Sequence, residues 1–319
     1  MTIQFADLAR RVREDGVVAS DELLSLRQQG WGDGIITQEE AEAIFAINNV
    51  LDQRDDAWSD FFVEAIGEFV LNGTKPRRQC NAEETEWLIA QIDHDGVIES
   101  FVELEALVRI VERAENVTDR LKNYLLEQIE REVMTGTGPA RNGGELSDTH
   151  ISPAECKILR RVIFASGGFG PAAVSRFDAE MLFRLKDATL ADANAPEWAD
   201  LFVDGVANYL GGFTIDNAQL SHDRKLELVE FLEKPSAGLE GFVAKMIETA
   251  PKLGRNINWA VEHLGGKDGP QNDYGADASA GDIVTEDENN WLQKMAQGDG
   301  KLDDIERKLL KRLVEDSPV

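Results

Sequence analysis

The residues of this chain that could do chemistry are carboxylates set around glycine. Four times the sequence runs Asp-Gly, any residue, an aliphatic, then a carboxylate about four positions on. The phrases are DGVVASDE (Asp15 to Glu22), DGIITQEE (Asp33 to Glu40), DGVIESFVE (Asp95 to Glu103) and DGKLDDIE (Asp299 to Glu306). Carboxylate oxygens crowded into a short loop suit a hard divalent cation such as Ca2+, which takes about six to eight oxygens. The same residues also have a structural use. Glycine supplies the positive φ at which the chain reverses, the aliphatic anchors the loop to the core, and the late carboxylate caps the next helix.

The phrase resembles the second half of an EF-hand loop, where glycine stands sixth, an aliphatic eighth and a bidentate Glu twelfth. The resemblance covers four helix–loop–helix units, two per lobe, about half of the chain. Each unit departs from the full pattern. Before Gly34, the first and third positions hold Gln29 and Trp31, leaving Asp33 and Glu40. Before Gly96, Gln91 stands first, Asp93 and Asp95 stand at ligand positions, Glu99 is near, and Glu103 falls one residue late. Before Gly300, Met295 and Gln297 replace early ligands, leaving Asp299, Asp303 and Glu306. The unit ASGGFGPAAVSRFDAE (Ala165 to Glu180) keeps Val174 and Asp178 but has no early acid, and is expected to be metal-free.

The resemblance therefore implies Ca2+ as cofactor, with Asp93, Asp95, Glu99 and Glu103 as first-choice ligands and Asp299, Asp303 and Glu306 as the second set. It also implies a mode of action, in which paired helices open an apolar groove that grips an amphipathic helix of a partner protein. A weaker resemblance, resting on DG-x-aliphatic alone, is to helical TerB-like tellurite-resistance proteins, whose acidic turns join helices and can carry metal. That likeness implies a metal-stress protein with divalent sites dispersed over both lobes.

Other chemistry-bearing residues give no catalytic pattern. His94, His150, His222 and His263 lack the HExxH or paired spacing of a catalytic zinc site. Cys80 and Cys156 have no CxxC spacing and read as free thiols in a reducing compartment. SGGFGP (Ser166 to Pro171) lacks the Lys-Ser/Thr of a phosphate loop, and GxSxG is absent. The expectation is a non-enzymatic protein, with an enzyme of unrecognised class as an alternative.

The elements that position these loops are helices. Trp58, Phe61, Phe62, Ala65, Ile66, Phe69 and Val70 recur at helical spacing and form one apolar stripe. Thr37 with Glu40 is a capping box, Ser152-Pro153 starts a helix, and Thr118-Asp119 and Ser175-Asp178 are weaker starts. With no convincing alternating run, the fold class is all-α.

The chain also repeats itself. WSDFFVEAIGEFV (Trp58 to Val70) matches WADLFVDGVANYL (Trp198 to Leu210), and ITQEEAEAIFAI (Ile36 to Ile47) matches VSRFDAEMLFRL (Val174 to Leu185). Downstream, EETEWLIAQIDHDGVIE (Glu83 to Glu99) matches DENNWLQKMAQGDGKLD (Asp287 to Asp303). The order is kept, which indicates two related lobes: 1–137 and 146–319, joined by a Gly-rich surface linker at 138–145 (GTGPARNGGE, from Gly136, surrounds it). The second lobe carries a helical insert at about 214–285, ending in a Gly, Asp and Ala stretch from Gly265 to Asp282 expected to be a loop.

The chain has 319 residues, with 33 Lys plus Arg against 60 Asp plus Glu, a net charge of −27. Such a charge repels nucleic acid and anionic membranes, so KPRR (Lys75 to Arg78) and RKLLKR (Arg307 to Arg312) read as solvated or paired faces. A nucleic-acid mimic occupying a basic groove is a further alternative. No apolar run approaches membrane-spanning length, and Met1 to Asp15 has no secretory signal pattern. The expected partner is a protein or an amphipathic helical peptide, in the cytoplasm.

Overall fold

The computed structural model describes residues 11–12, 16–30, 35–75, 77–93, 97–141, 149–165, 174–189, 191, 193–211 and 302–316. The insert at about 214–285 and most of the third repeat block lie outside the described residues. The described chain is mostly helical, as the periodicity predicts. Ten α-helices run in order: α1 (Ser20–Gly30), α2 (Gln38–Asn48), α3 (Asp56–Asn72), α4 (Ala82–Ile92), α5 (Phe101–Arg113), α6 (Asp119–Thr135), α7 (Pro153–Ile163), α8 (Arg176–Thr189), α9 (Trp198–Gly211) and α10 (Asp304–Asp316). The only strands among these residues are two-residue pieces, β1 (Gln79–Cys80) and β2 (Asn116–Val117), paired in parallel. A short 3-10 turn spans Pro139–Arg141.

Two compact units divide the chain. One comprises Met1–Ala173 with Ala188–Pro196, and the other Val174–Asp187 with Glu197–Val319. In the first unit, α3 carries the predicted stripe, and every one of its seven residues is buried. Asp55 starts this helix by accepting the Trp58 N–H at 2.7 Å, satisfying one of the amides that a helix start leaves without a partner. Gly73 caps its end, donating its N–H to the Phe69 carbonyl, and a Cβ there would lie 2.5 Å from that oxygen. The stripe packs on α2 and α5, and α1 lies against α3 as well. Phe45 of α2 meets Phe62 of α3 edge to face, with centroids 5.1 Å apart, a geometry the ring quadrupoles favour.

α7, which the sequence division assigns to the second lobe, packs on α5 and α6. Its Arg161 bonds two glutamates of α5, with Nη1 2.6 Å from Glu105 Oε2 and Nη2 2.7 Å from Glu112 Oε2. The start of the stretch read as a surface linker is also interior here: Pro139 and Ala140 are buried.

The second unit holds α8, α9 and α10, with α10 packed along α9. Phe183 and Phe202 meet edge to face at 5.0 Å. Gly205 lets Leu182 approach, since a Cβ would stand 2.5 Å from Leu182 Cδ1.

Candidate functional site

The late carboxylate of each acidic-glycine phrase occupies the third position of a helix. There it accepts the backbone N–H of the cap residue. Ala19 N–H bonds Glu22 at 3.0 Å, Thr37 N–H bonds Glu40 at 3.0 Å, Ser100 N–H bonds Glu103 at 3.2 Å, and Asp303 N–H bonds Glu306 at 3.0 Å. Ser175 and Asp178 exchange the same two bonds at 2.9 and 3.2 Å, as expected of that helix start. Asn81 with Glu84 and Ser152 with Glu155 form further boxes. Where the cap residue is Ser, Thr, Asn or Asp the box satisfies two amides, whereas Ala19 has no side-chain acceptor and the Glu22 bond stands alone there.

Glu103 does more than cap. It is buried, and its second oxygen accepts from Asn48 Nδ2 at 3.0 Å. Asn48, at the end of α2, accepts on Oδ1 from Trp58 Nε1 at 3.1 Å and from Arg54 Nε at 3.0 Å. One amide thus ties α2, α3, α5 and the α2–α3 loop together. Burial pushes the Glu103 carboxyl above the usual carboxylate range, and exposed Glu99 adds to the push, while Ser100 and Arg54 pull the other way.

Asp93 follows α4 as its cap residue, its N–H bonded to the Ile89 carbonyl. It faces Tyr124 of α6. Burial first, then Asp93 and Glu103, holds the Tyr124 phenol above its ordinary range. Glu99 thus acts on Glu103, and Asp93 and Glu103 each act on Tyr124. Asp95, the fourth residue of that set, lies outside the described residues, as does His94.

In the second unit Asp303 and Glu306 face an ammonium. Lys186 of α8 has a side chain only 3% exposed. Its Nζ bonds Asp303 Oδ2 at 2.6 Å, Glu306 Oε1 at 3.0 Å and Asp187 Oδ1 at 2.7 Å. Those hydrogen bonds outweigh the burial that would lower it, and the lysine titrates above its usual range. Burial raises Glu306 while Lys186 opposes the rise. Asp299 lies outside the described residues.

Sequence reasoning passed over Asn48 and Lys186. The available signal was a Lys inside the buried face of α8, at the place where the matching block of α2 ends in Asn. Among the described residues no group of three or more His, Cys, Asp or Glu side chains is arranged to hold a metal ion. Cys80 and Cys156 are buried free thiols, and burial pushes Cys80 up to about 11, which leaves it protonated and unreactive at neutral pH. Among the described residues no helix is long and apolar enough to cross a membrane.

Fold and site together define a class: an acidic, mostly helical protein whose buried carboxylates cap helices and join them. No family model, no curated protein and no solved structure matches the chain.

Proposed function

We propose that this chain is a non-enzymatic, acidic helical protein that binds an amphipathic helix of a partner protein. The observation that carries the reading is a set of large apolar side chains left exposed in the first unit of a protein of charge −27. Val17, Leu24, Ile35 and Phe101 are each about half exposed, at the starts of α1, α2 and α5 or along α1. Acidic surroundings with apolar anchors suit a partner helix with Lys or Arg on one face and Leu or Phe on the other. The matched Trp blocks, and the edge-to-face Phe pair in each unit, support two duplicated, EF-hand-like lobes. Two buried free thiols support a reducing, cytoplasmic setting.

The test is a titration of the full chain with a synthetic Lys/Leu amphipathic helix, repeated on Leu24→Glu and Phe101→Glu. Saturable binding that each substitution weakens by about tenfold or more supports the reading, on the scale of a lost apolar anchor. Equal binding by all three proteins sinks it.

A second reading, weak Ca2+ binding in the loop of Asp93, Asp95, Glu99 and Glu103, rests on the EF-hand resemblance of that loop and requires Glu103 to exchange its Ser100 and Asn48 hydrogen bonds for the ion. Calorimetric titration with Ca2+ and Mg2+, repeated on Asp95→Ala, decides it. Heat lost in the variant supports a site at that loop. Several weak sites untouched by the substitution point instead to the dispersed binding implied by the TerB-like resemblance.

A further inference from the structure

The junction between α6 and α7 holds a buried acid with one oxygen unused. Glu132 stands in the last turn of α6 and is 4% exposed. Its Oε2 accepts the Ala140 N–H at 3.0 Å. Its Oε1 is buried and has no hydrogen-bond partner among the described residues. A buried carboxylate oxygen left without a donor costs free energy when charged far more than when protonated.

The chain is bent closely over this group. It leaves α6 through Gly136 at φ 71 and passes Gly138 at φ 157. A Cβ at Gly138 would lie 2.1 Å from Glu132 Cγ, so only glycine lets the backbone lie there. The 3-10 turn then delivers Arg141, whose side chain is 6% exposed and is committed to the fully buried Glu155 of α7. Arg141 Nε donates to Glu155 Oε1 at 2.7 Å and Nη2 to Oε2 at 3.0 Å, and Nη2 also bonds the His150 carbonyl. The charged groups that face Glu132 are therefore Glu155 from α7, which raises it, and Arg141 from the turn, which lowers it. With Glu132 protonated the cluster is neutral. With Glu132 ionised it carries an uncompensated negative charge.

We propose that Glu132 is a proton-operated clasp: protonated, it lets Thr137–Arg141 close over the end of α6, and ionised, it loosens that turn and, through Arg141, the start of α7. Burial, with Glu155 behind it, pushes Glu132 up to about 7, against the pull of the Ala140 amide and Arg141. A folded value above the ordinary carboxylate range means that the closed turn binds the proton more tightly than the open one. Closure therefore strengthens as pH falls through neutrality and weakens as it rises.

Backbone amide exchange on the full chain, corrected for intrinsic rates, reads the opening of residues 136–141 at about pH 6 and about pH 8. Linkage between an open value near 4.5 and a closed value near 7 makes opening about tenfold more frequent at the higher pH. In Glu132→Gln that ratio falls to about one, with protection at both pH values at least as high as that of the natural chain at about pH 6. A ratio near one in the natural chain, or a tenfold ratio kept in Glu132→Gln, overturns the proposal; the second result would assign the effect to another group, His150 among them. A direct titration of the Glu132 side-chain carbon by NMR does not depend on the variant folding. A midpoint near 7 supports the clasp, and a midpoint in the ordinary carboxylate range removes it.

Discussion

The end of α2 in the first unit and the matching turn of α8 in the second solve one packing problem with opposite chemistry. Both set a buried polar residue against a buried Glu at the third position of a later helix, Glu103 in one unit and Glu306 in the other. In the first unit the residue is Asn48, which accepts from Trp58 Nε1 and donates to Glu103. An amide has both donors and an acceptor, so one side chain serves both neighbours without charge. In the second unit it is Lys186, which has donors only. It serves Asp303, Glu306 and Asp187, and the buried Trp198 Nε1 is left with no hydrogen-bond partner among the described residues. The amide serves Trp58, Arg54 and Glu103 at once without adding a charge of its own. The ammonium gives a charged centre, one cation among three carboxylates, in a unit where one buried indole N–H is left unserved.

The largest effect should come from removing the charge. Lys186→Met leaves Asp303 and Glu306 facing each other without a cation in a buried place. Breaking one side of such a group costs about 3–5 kcal/mol, to be read from urea unfolding of the full chain. A loss below about 1 kcal/mol would show that water reaches these carboxylates and that the ammonium is not their main partner.

Removing the amide should cost less. Asn48→Leu keeps the volume but strips Trp58 Nε1 of its acceptor and Glu103 of its donor. Each buried group left unmatched costs about 1–3 kcal/mol; Glu103 keeps the Ser100 N–H and so falls at the low end, which makes a total of about 2–4 kcal/mol the expectation. If Asn48→Leu proves as damaging as Lys186→Met, charge is not what distinguishes the two centres.

How much of this was legible in the sequence follows from range. The stripe of α3 is local and periodic, so Trp58 to Val70 could be placed in the core from spacing alone. Boxes such as Thr37 with Glu40 span three residues, and the alternative use of the late acids as caps was open for the same reason. Asn48 and Lys186 were not legible, because their partners lie 55 residues away in one case and 117 and 120 in the other. No local rule connects an Asn in IFAIN to a Glu in SFVE. Arg141 was hidden differently. Gly-rich composition around it suggested an exposed linker, whereas Gly136 and Gly138 are there to let the chain fold tightly onto Glu132.

The third prediction converts one centre into the other. Lys186→Asn installs the amide of the first unit, giving Trp198 Nε1 an acceptor and Glu306 a neutral donor. It should therefore retain about 1–2 kcal/mol more stability than Lys186→Met, the worth of one or two buried hydrogen bonds. The Trp198 indole N–H resonance should move downfield and exchange more slowly. Equal loss in the two variants, with an unmoved indole signal, would mean that the α8–α9 geometry does not allow the amide to reach the ring.

The smallest effect tests the reverse transplant. Asp and Ser cap helices about equally well, yet the second unit caps α10 with Asp303 and the first caps α5 with Ser100. The difference is expected to lie in the hub: a capping Asp adds a carboxylate beside the buried Glu, and Lys186 supplies a cation that bonds both while Asn48 supplies no charge. Ser100→Asp should then cost about 1 kcal/mol in the first unit, despite preserving the cap, because Glu103 has a neutral amide for a neighbour. Adding Asn48→Lys should return part of that loss, so the two substitutions together cost less than the sum of each alone. Such coupling is what a double-mutant cycle between contacting charged residues measures. Strict additivity would show that cap and hub were chosen independently, and that the pairing of Asp303 with Lys186 carries no more than the cap itself.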